Sequence, residues 1–218
     1  MQPARQIARA QPDGDDVRRR ILDAAEEVFA GRGYAAATTR EIAERAGIGK
    51  RMLFYYFPNK DSVYRAVLER VLVGLVAIHE HIRENPGQVA GLPDAAEQLT
   101  RFAAANVCAV KVWLREIIDG GPHLEGLAKQ YLQPLFTQVA GEVERNMQQG
   151  VFRPGDPMQV LMNVGGLTLF YFLMQPLLEI VWERDPLAPE TVDARAAAVR
   201  DFLLHGLAGA AAREGASS

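Results

Sequence analysis

The chain has 218 residues, of which 49% are hydrophobic and 23% charged, and its formal net charge is −3. This length and balance suit an ordinary soluble globular protein that buries a core without disulfides or a structural metal. The charge is uneven, because residues 1–65 carry 12 Lys or Arg against 9 Asp or Glu while the remainder is net acidic. A basic head on an acidic body is compatible with a polyanionic partner at one end only.

The single cysteine, Cys108, excludes an internal disulfide and favours a reducing compartment. Residues 1–13 lack the apolar core of a signal peptide. The most apolar stretch, residues 160–181, carries Asn163 and Glu179, so we expect a buried helix there rather than a membrane span. We therefore expect a cytoplasmic protein without a membrane partner.

Helical periodicity runs through almost the whole chain, and hairpin-like alternation is missing. A first helix is predicted over about 17–29, and the sequence Gly31-Arg32-Gly33 ends it. Thr38 begins a second helix as a capping box, in which its hydroxyl accepts from the Glu41 backbone and the Glu41 side chain reaches back. Gly47 ends this helix in a left-handed conformation, and a third short helix follows over 49–57.

A long fourth helix is predicted from Lys60 to about Glu84, after the break at Pro58-Asn59. Further helices are expected at about 94–112, 113–119, 123–149, 156–183 and 189–212. Pro134 and Pro176 fall inside two of these helices, so we expect a kink at each.

The second and third helices, joined by a tight glycine turn and packed on the first, have the pattern of a helix-turn-helix. At about 100° per residue, Leu53 and Phe57 share the buried face of the third helix. Its outward face is basic, apolar and aromatic, with Lys50, Arg51, Met52, Phe54 and Tyr55. Exposing such a face is costly unless a partner covers it, and the major groove of DNA accepts one helix and offers acceptors and methyl groups.

The residues 38–60, TTREIAERAGIGKRMLFYYFPNK, resemble the signature of the TetR family of repressors, T-T-x-x-I-A-x-x-A-G-V-S-x-G-x-L-Y-x-H-F-x-x-K. The specific match covers about residues 17–65. Gly49 replaces the usual Ser cap, Arg51 replaces a Gly, and Phe54 and Tyr56 replace Tyr and His. Arg51 therefore looks like a specificity element of this chain, because it puts a long hydrogen-bond donor where relatives have no side chain.

The resemblance implies an all-α protein in which a three-helix DNA-binding domain is joined through a long fourth helix to a larger helical ligand-binding and dimerisation domain. We place the DNA-binding domain at 15–65 and the second domain at 66–213, with flexible tails at 1–14 and 214–218. The predicted contacts to double-stranded operator DNA are Thr38, Thr39, Arg40, Lys50, Arg51, Met52, Phe54, Tyr55, Tyr56 and Lys60. Among them Lys50 and Arg51 are assigned to bases, and Thr39, Tyr56 and Lys60 to phosphates.

Two apolar seams in the second domain step by alternating fours and threes. They are Val160, Val164, Leu167, Tyr171, Met174 and Leu178 in one helix, and Val192, Ala196, Val199, Leu203 and Gly206 in the last. The resemblance implies that the last two helices pair with their copies in a homodimer, whereas an internal core seam is the alternative. It also implies a cavity for a small molecule, with Phe102, Asn106, Trp113, His123 and Phe136 as candidate lining residues, although an ordinary core contains the same side chains.

Catalytic patterns are missing, since the chain has neither a glycine-rich phosphate loop nor a nucleophile elbow. His79 and His81 lie two residues apart on a helix and point in nearly opposite directions, so they cannot share a metal ion. We expect no enzymatic activity, metal or cofactor. The leading hypothesis is a homodimeric repressor released from operator DNA by a small hydrophobic ligand. Two alternatives remain: a DNA binder of this type that is constitutive or controlled by a protein partner, and a helical binding protein without DNA recognition.

Overall fold

A computed structural model describes residues 14–85 and 91–209, and these residues are almost entirely helical. The helices are α1 (Gly14–Ala36), α2 (Thr39–Arg45), α3 (Lys50–Tyr56), α4 (Lys60–Glu84), α5 (Leu92–Ala105), α6 (Val107–Ile118), α7 (Leu124–Leu127), α8 (Gln133–Gln148), α9 (Pro157–Leu173), α10 (Gln175–Trp182) and α11 (Pro189–Leu207), with a π-helical turn at Ala128–Leu132. Within the described part the only extended pairing is an isolated bridge between Phe152 and Ala208. The predicted all-α class is confirmed.

The chain divides into two compact units between Val67 and Leu68. The first unit contains α1, α2, α3 and the start of α4, and the second contains the rest of α4 and all later helices. Helix α4 therefore belongs to both units. Apart from Gly14, which already begins α1, the tails predicted at 1–14 and 214–218 lie outside the described residues.

Local sequence signals determine where the helices of the first unit begin and end. Regular helix geometry in α1 breaks at Gly33, with φ 75° and ψ 168°. Thr38 and Glu41 form the predicted capping box, in which the Glu41 backbone N–H donates to the Thr38 hydroxyl and the Thr38 N–H donates to the Glu41 carboxylate, each at 3.2 Å. Gly47 has φ 65°, the left-handed conformation that a glycine adopts without steric strain.

The core of the first unit is built from side chains of all four of its helices. The fully buried ones include Ile21, Ala25, Ile42, Leu53, Val63 and Val67. Phe29 and Tyr64 meet edge to face with ring centroids 4.9 Å apart, and Tyr34 packs on Tyr64 at 4.7 Å. These apolar and aromatic contacts hold α1 and the start of α4 around the two short helices.

The break between α5 and α6 lies at Asn106, and the break predicted between Val112 and Trp113 is wrong. Asn106 has φ −123° and ψ 34°, and its side-chain amide donates to the Phe102 carbonyl at 2.8 Å. Asparagine competes with helical hydrogen bonding in this way, which explains why the helix stops there. Trp113 instead lies within α6, where its indole N–H donates to the Leu68 carbonyl at 2.6 Å.

The kink predicted at Pro176 is present, whereas the kink predicted at Pro134 stays a prediction. The π-helical turn at Ala128–Leu132 ends two residues before Pro134, which cannot donate the backbone hydrogen bond that a regular helix requires. Helices α9 and α10 are bent by 65° at a break just before Pro176. In the described part of the chain no single helix is long and apolar enough to cross a membrane, and only the bent pair α9 and α10 together reaches that length and composition.

The apolar seams predicted for dimerisation lie mostly in the interior of the second unit. Val160, Val164, Ala196, Val199 and Leu203 are all buried within one copy of the chain. Helix α11 packs on α5 and α9, and α8 packs on α9. The assignment of these seams to a subunit contact is therefore corrected, because an internal core already covers them.

Charged side chains reinforce the packing of α11. Arg101 pairs with Asp193 and Arg200 pairs with Asp94, so both ion pairs join α5 to α11. Arg195 donates to the Leu167 carbonyl, and its guanidinium lies 5.4 Å from the centroid of the Tyr171 ring. Burial lowers the pKa of Arg195 from its usual value. These contacts fix α11 against both of its neighbouring helices.

Helices α4 and α5 approach each other closely at Gly74, and substitution of this residue tests that packing. A methyl group at this position would lie 2.3 Å from the Phe102 ring, whereas one at Gly141 in α8 would be no closer than 3.5 Å to another side chain. We expect Gly74→Ala to lower the free energy of unfolding by about 1–3 kcal/mol through overpacking. Gly141→Ala should raise it by up to about 1 kcal/mol through helix propensity. Urea unfolding followed by circular dichroism measures both, and equal shifts would contradict the close approach.

Candidate nucleic-acid interface and ligand cavity

Helix α3 presents the two faces that its periodicity predicts. Leu53 is fully buried and Phe57, at the C-terminal end, is nearly so. Tyr55 on the opposite face keeps 81% of its surface exposed, and the other outward side chains, Lys50, Arg51, Met52 and Phe54, are also exposed. The helix therefore shows a continuous basic and aromatic surface beside a single buried edge.

The turn before α3 is fixed by Arg20, a contact that the motif did not reveal. The Arg20 guanidinium donates to the carbonyls of Ala46 and Gly47 at the end of α2. A side chain on Gly47 would approach this guanidinium at 3.1 Å. A cation near the last carbonyls of a helix is favourable, and here it orients the turn that carries α3. In the sequence, Arg20 is one of three consecutive arginines in α1, and nothing there distinguishes it as the residue that contacts this turn.

Contacts along its surface order the outward side chains of α3. The Lys50 ammonium lies 5.5 Å from the centroid of the Phe54 ring, and the rings of Tyr55 and Tyr56 meet edge to face at 5.3 Å. Arg51 is exposed, and no ion pair holds it within the part of the chain that the structure describes. Arg51 is thus available for bidentate hydrogen bonding to a guanine.

Three predicted contact residues lie at the start of α2, and two of them are already engaged there. The Thr38 hydroxyl accepts from the Glu41 backbone and donates to its carboxylate at 3.1 Å. Arg40 pairs with Glu44 at 2.8 Å, and this hydrogen-bonded carboxylate raises the pKa of Arg40. Thr39, the first residue of α2, is half-buried. Contact of these residues with DNA stays a prediction.

Lys60 has an architectural role that the motif did not predict. Its ammonium donates to the carbonyls of Tyr34 at 2.8 Å, Ala37 at 3.1 Å and Ala35 at 3.4 Å. It also lies 4.4 Å from the centroid of the Tyr34 ring. Because an ammonium has three N–H donors, these carbonyls use its full capacity. Lys60 therefore ties the end of α1 to the start of α4, and its predicted contact with a phosphate would have to compete with these bonds.

The second unit encloses a cavity of about 510 Å³. Its walls come from α4, α5, α6, α8 and α9, and most lining side chains are aliphatic or aromatic. Phe102, Trp113 and Phe136, which the sequence proposed as lining residues, border this cavity. A volume and lining of this kind suit a small hydrophobic molecule.

The other two proposed lining residues, Asn106 and His123, do not border the cavity. The Asn106 amide is turned to the Phe102 carbonyl, where it ends α5. The His123 backbone N–H donates to the Glu116 carboxylate at 3.1 Å, in the loop before α7. Both residues therefore lie at helix ends. Neither their residue type nor their position in the sequence predicts this role.

The polar groups of the cavity are side chains that the sequence analysis missed. They are His79 on α4 and Glu142 and Asn146 on α8. A usable signal was present, because His79 lies in helical register with Leu75 and Ile82, which line the same wall. Within the described residues, no group of three or more His, Cys, Asp or Glu is placed to hold a metal ion.

Two family models match the chain. One, described as bacterial regulatory proteins of the tetR family, matches residues 21–67. The other, described as a tetracyclin repressor-like C-terminal domain, matches residues 89–203, which is more than half of the chain. The chain belongs to the TetR family. Regulators of this family bind operator DNA and dimerise, so this protein is a DNA-binding transcriptional regulator and not an enzyme.

Some relatives match most of the chain, and others match only a short part of it. The transcriptional regulator RutR of Escherichia coli is 27% identical over 74% of this chain and 76% of its own length. The transcriptional activator FasR of Mycolicibacterium smegmatis is 48% identical over 29% of each chain. The solved structure of KstR2 from Mycobacterium tuberculosis aligns with a TM-score of 0.70 and 20% identity over 93% of this chain and 99% of its own, which shows the shared fold.

Paired substitutions separate the two lysines of this TetR-family interface. Lys60→Met should lower the free energy of unfolding by about 1–3 kcal/mol, because the carbonyls at the end of α1 lose a charged donor. Lys50→Met should change it by less than about 0.5 kcal/mol, because Lys50 is exposed, but should weaken DNA binding. Urea unfolding and a mobility-shift assay provide the two measurements. Equal stability of the two variants would contradict the architectural role of Lys60.

Proposed function

We propose that this regulator is a homodimeric repressor that leaves its operator when a hydrophobic small molecule fills the cavity of the second unit. The observation that carries the proposal is the cavity itself, about 510 Å³ in volume and lined mainly by apolar side chains. A folded protein seldom keeps so large an apolar cavity without a use for it, since lining atoms lose packing contacts. The proposal gives this void a ligand.

The outward face of α3 supports the DNA-binding half of the proposal. In this proposal Arg51 and Lys50 read base edges in the major groove, while Met52, Phe54 and Tyr55 cover thymine methyl groups and sugars. Thr38, Thr39, Arg40, Tyr56 and Lys60 surround this face and supply phosphate contacts. Of these, Thr39 and Tyr56 need the least rearrangement, because Thr38, Arg40 and Lys60 already have hydrogen-bond partners within the protein.

An exposed apolar surface on the last three helices supports the dimer. Its large members are Phe170 and Leu173 on α9, Leu177 and Ile180 on α10 and Phe202 on α11, of which Ile180 keeps 74% of its surface exposed. Ala194, Ala197 and Ala198 on α11 are exposed as well and permit close helix approach. We propose that this surface, rather than the buried seams, covers its copy across a two-fold axis.

Helix α4 provides the proposed link between the ligand and DNA. It begins at Lys60 in the first unit, and residues from Val71 to Ile82 line the cavity. Its 25 residues extend over about 37 Å. A ligand that displaces the later turns of α4 alters the separation of the two α3 helices in the dimer, and a wrong separation prevents both from entering successive major grooves.

A constitutive or partner-controlled DNA binder is the competing function. The name of FasR, an activator, shows that a close match need not belong to a repressor. A promoter–reporter fusion distinguishes repression from activation by the sign of the change when the protein is deleted. The apolar cavity favours the ligand-controlled form over a constitutive one, because a constitutive regulator has no need of it.

The dimer surface can be tested with charge substitutions. Phe170→Glu and Phe202→Glu should each shift the protein towards the monomer, because a buried unpaired carboxylate is costly in an apolar contact. The control is Val73→Glu, also at an exposed large apolar side chain but on α4. Light scattering at micromolar concentration measures the mass, and DNA affinity should fall with it. Dimers of unchanged stability in both phenylalanine variants would contradict this surface.

Operator DNA and the ligand should antagonise each other. A ligand that prefers the DNA-incompetent form by about 1–3 kcal/mol weakens DNA binding about 5–150-fold, and linkage requires DNA to weaken ligand binding by the same factor. Calorimetric titration of a ligand found by thermal-shift screening, with and without the operator, measures both. Equal ligand affinity in the two titrations would favour the constitutive or partner-controlled function.

A further inference from the structure

The polar side chains of the cavity lie together, and one of their atoms has no partner. His79 Nε2 is buried and makes no hydrogen bond within the described residues. It lies 3.8 Å from a carboxylate oxygen of Glu142, which is too long for a hydrogen bond, and the His79 side chain is only 11% exposed. A buried donor or acceptor left unpaired costs about 1–3 kcal/mol, so this position is suited to a ligand atom.

Few of the side chains that line the cavity can form a hydrogen bond with a polar group of a ligand. The Trp113 indole N–H already donates to the Leu68 carbonyl. Asn146 lies one helical turn after Glu142, and its amide donates to the Glu142 carbonyl at 2.9 Å. Within the described part of the chain, every other lining side chain is aliphatic, aromatic, the thioether of Met162, or absent, as at the lining glycines. Among the described residues, the polar lining side chains are thus His79, Glu142 and the neighbouring Asn146, and the walls are apolar elsewhere.

We infer that the ligand is a largely apolar alcohol whose single hydroxyl group binds between His79 and Glu142. An oxygen about 2.8 Å from both atoms fits a separation of 3.8 Å. In the tautomer that carries the proton on Nε2, a hydroxyl accepts from His79 and donates to the Glu142 carboxylate, so it satisfies both groups at once. This inference rests on the proposed function only in that the cavity receives a ligand.

Other head groups fit this pair less well. A carboxylate placed at His79 also meets the negative charge of Glu142, and this repulsion opposes its binding. An ether or ketone accepts from His79 but offers no proton to Glu142. A primary ammonium pairs with Glu142 but accepts nothing from His79 in this tautomer, and it loses its hydration in the apolar cavity. The hydroxyl is therefore the head group that the pair selects.

Calorimetric titration of the full-length protein without DNA tests the inference with four probes that share one alkyl chain: 1-decanol, its methyl ether, decanoate and decylamine. We expect 1-decanol to bind about tenfold or more tightly than each of the others, as one hydrogen bond to a charged group implies. His79→Leu should reduce 1-decanol to the affinity of the ether and leave the ether unchanged. Glu142→Gln should improve decanoate at least threefold, because the repelling charge is gone.

His81→Leu is the matched control, because His81 is an exposed histidine on the same helix and does not line the cavity. It should leave all four affinities unchanged. Tighter wild-type binding of decanoate, decylamine or the ether, failure of all four probes, or an equal loss of 1-decanol and ether in His79→Leu would overturn the inference. The outcome is separate from that of the proposed function, because a protein that binds 1-decanol and still retains its operator contradicts ligand release alone.

Discussion

In the proposed recognition of DNA through α3, the position of that helix depends on the burial of Leu53. Helix α3 has seven residues, far fewer than an isolated helix needs to be stable in water, so its position comes from packing. Leu53 is fully buried, and Arg20 holds the carbonyls of Ala46 and Gly47 at the turn before α3. These contacts occupy one edge of α3 and leave the basic and aromatic edge exposed, which is the condition for entering a DNA groove.

The same division between a packed and an exposed face governs the second unit. The faces of α9 and α11 with the regular apolar spacing pack inside one copy, while Phe170, Ile180 and Phe202 remain on the outside. Helices α4, α5, α6, α8 and α9 line the cavity, and its polar side chains include the neighbouring pair His79 and Glu142. The proposed dimer surface, the cavity proposed for a ligand and the interior core thus share the same few helices, and a change in α4 or α9 affects more than one of them.

The sequence could predict features that depend on residues close together along the chain, and it could not predict those that depend on residues far apart. The capping box of Thr38, the left-handed Gly47 and the bend before Pro176 depend on neighbouring residues, and each is present as predicted. The break at Asn106 and the inward direction of the α9 and α11 seams depend on which helices pack together, and spacing alone does not contain that information. Lys60 and His79 show the same limit within the sites, since their partners lie 23 or more residues away along the chain.

We propose that α3 enters the major groove of an operator and that Arg51 reads a base there. The most direct measurement is methylation protection of guanine N7, an atom that lies in the major groove. It is made on DNA from upstream of the protein's own gene, bound by the wild-type protein and by Arg51→Ala. We expect protected guanines in two half-sites about one helical turn, 10–10.5 base pairs, or somewhat more apart, with one guanine in each half-site losing protection in the variant. Retarded DNA without any protection at N7, or an identical pattern in the variant, would contradict it.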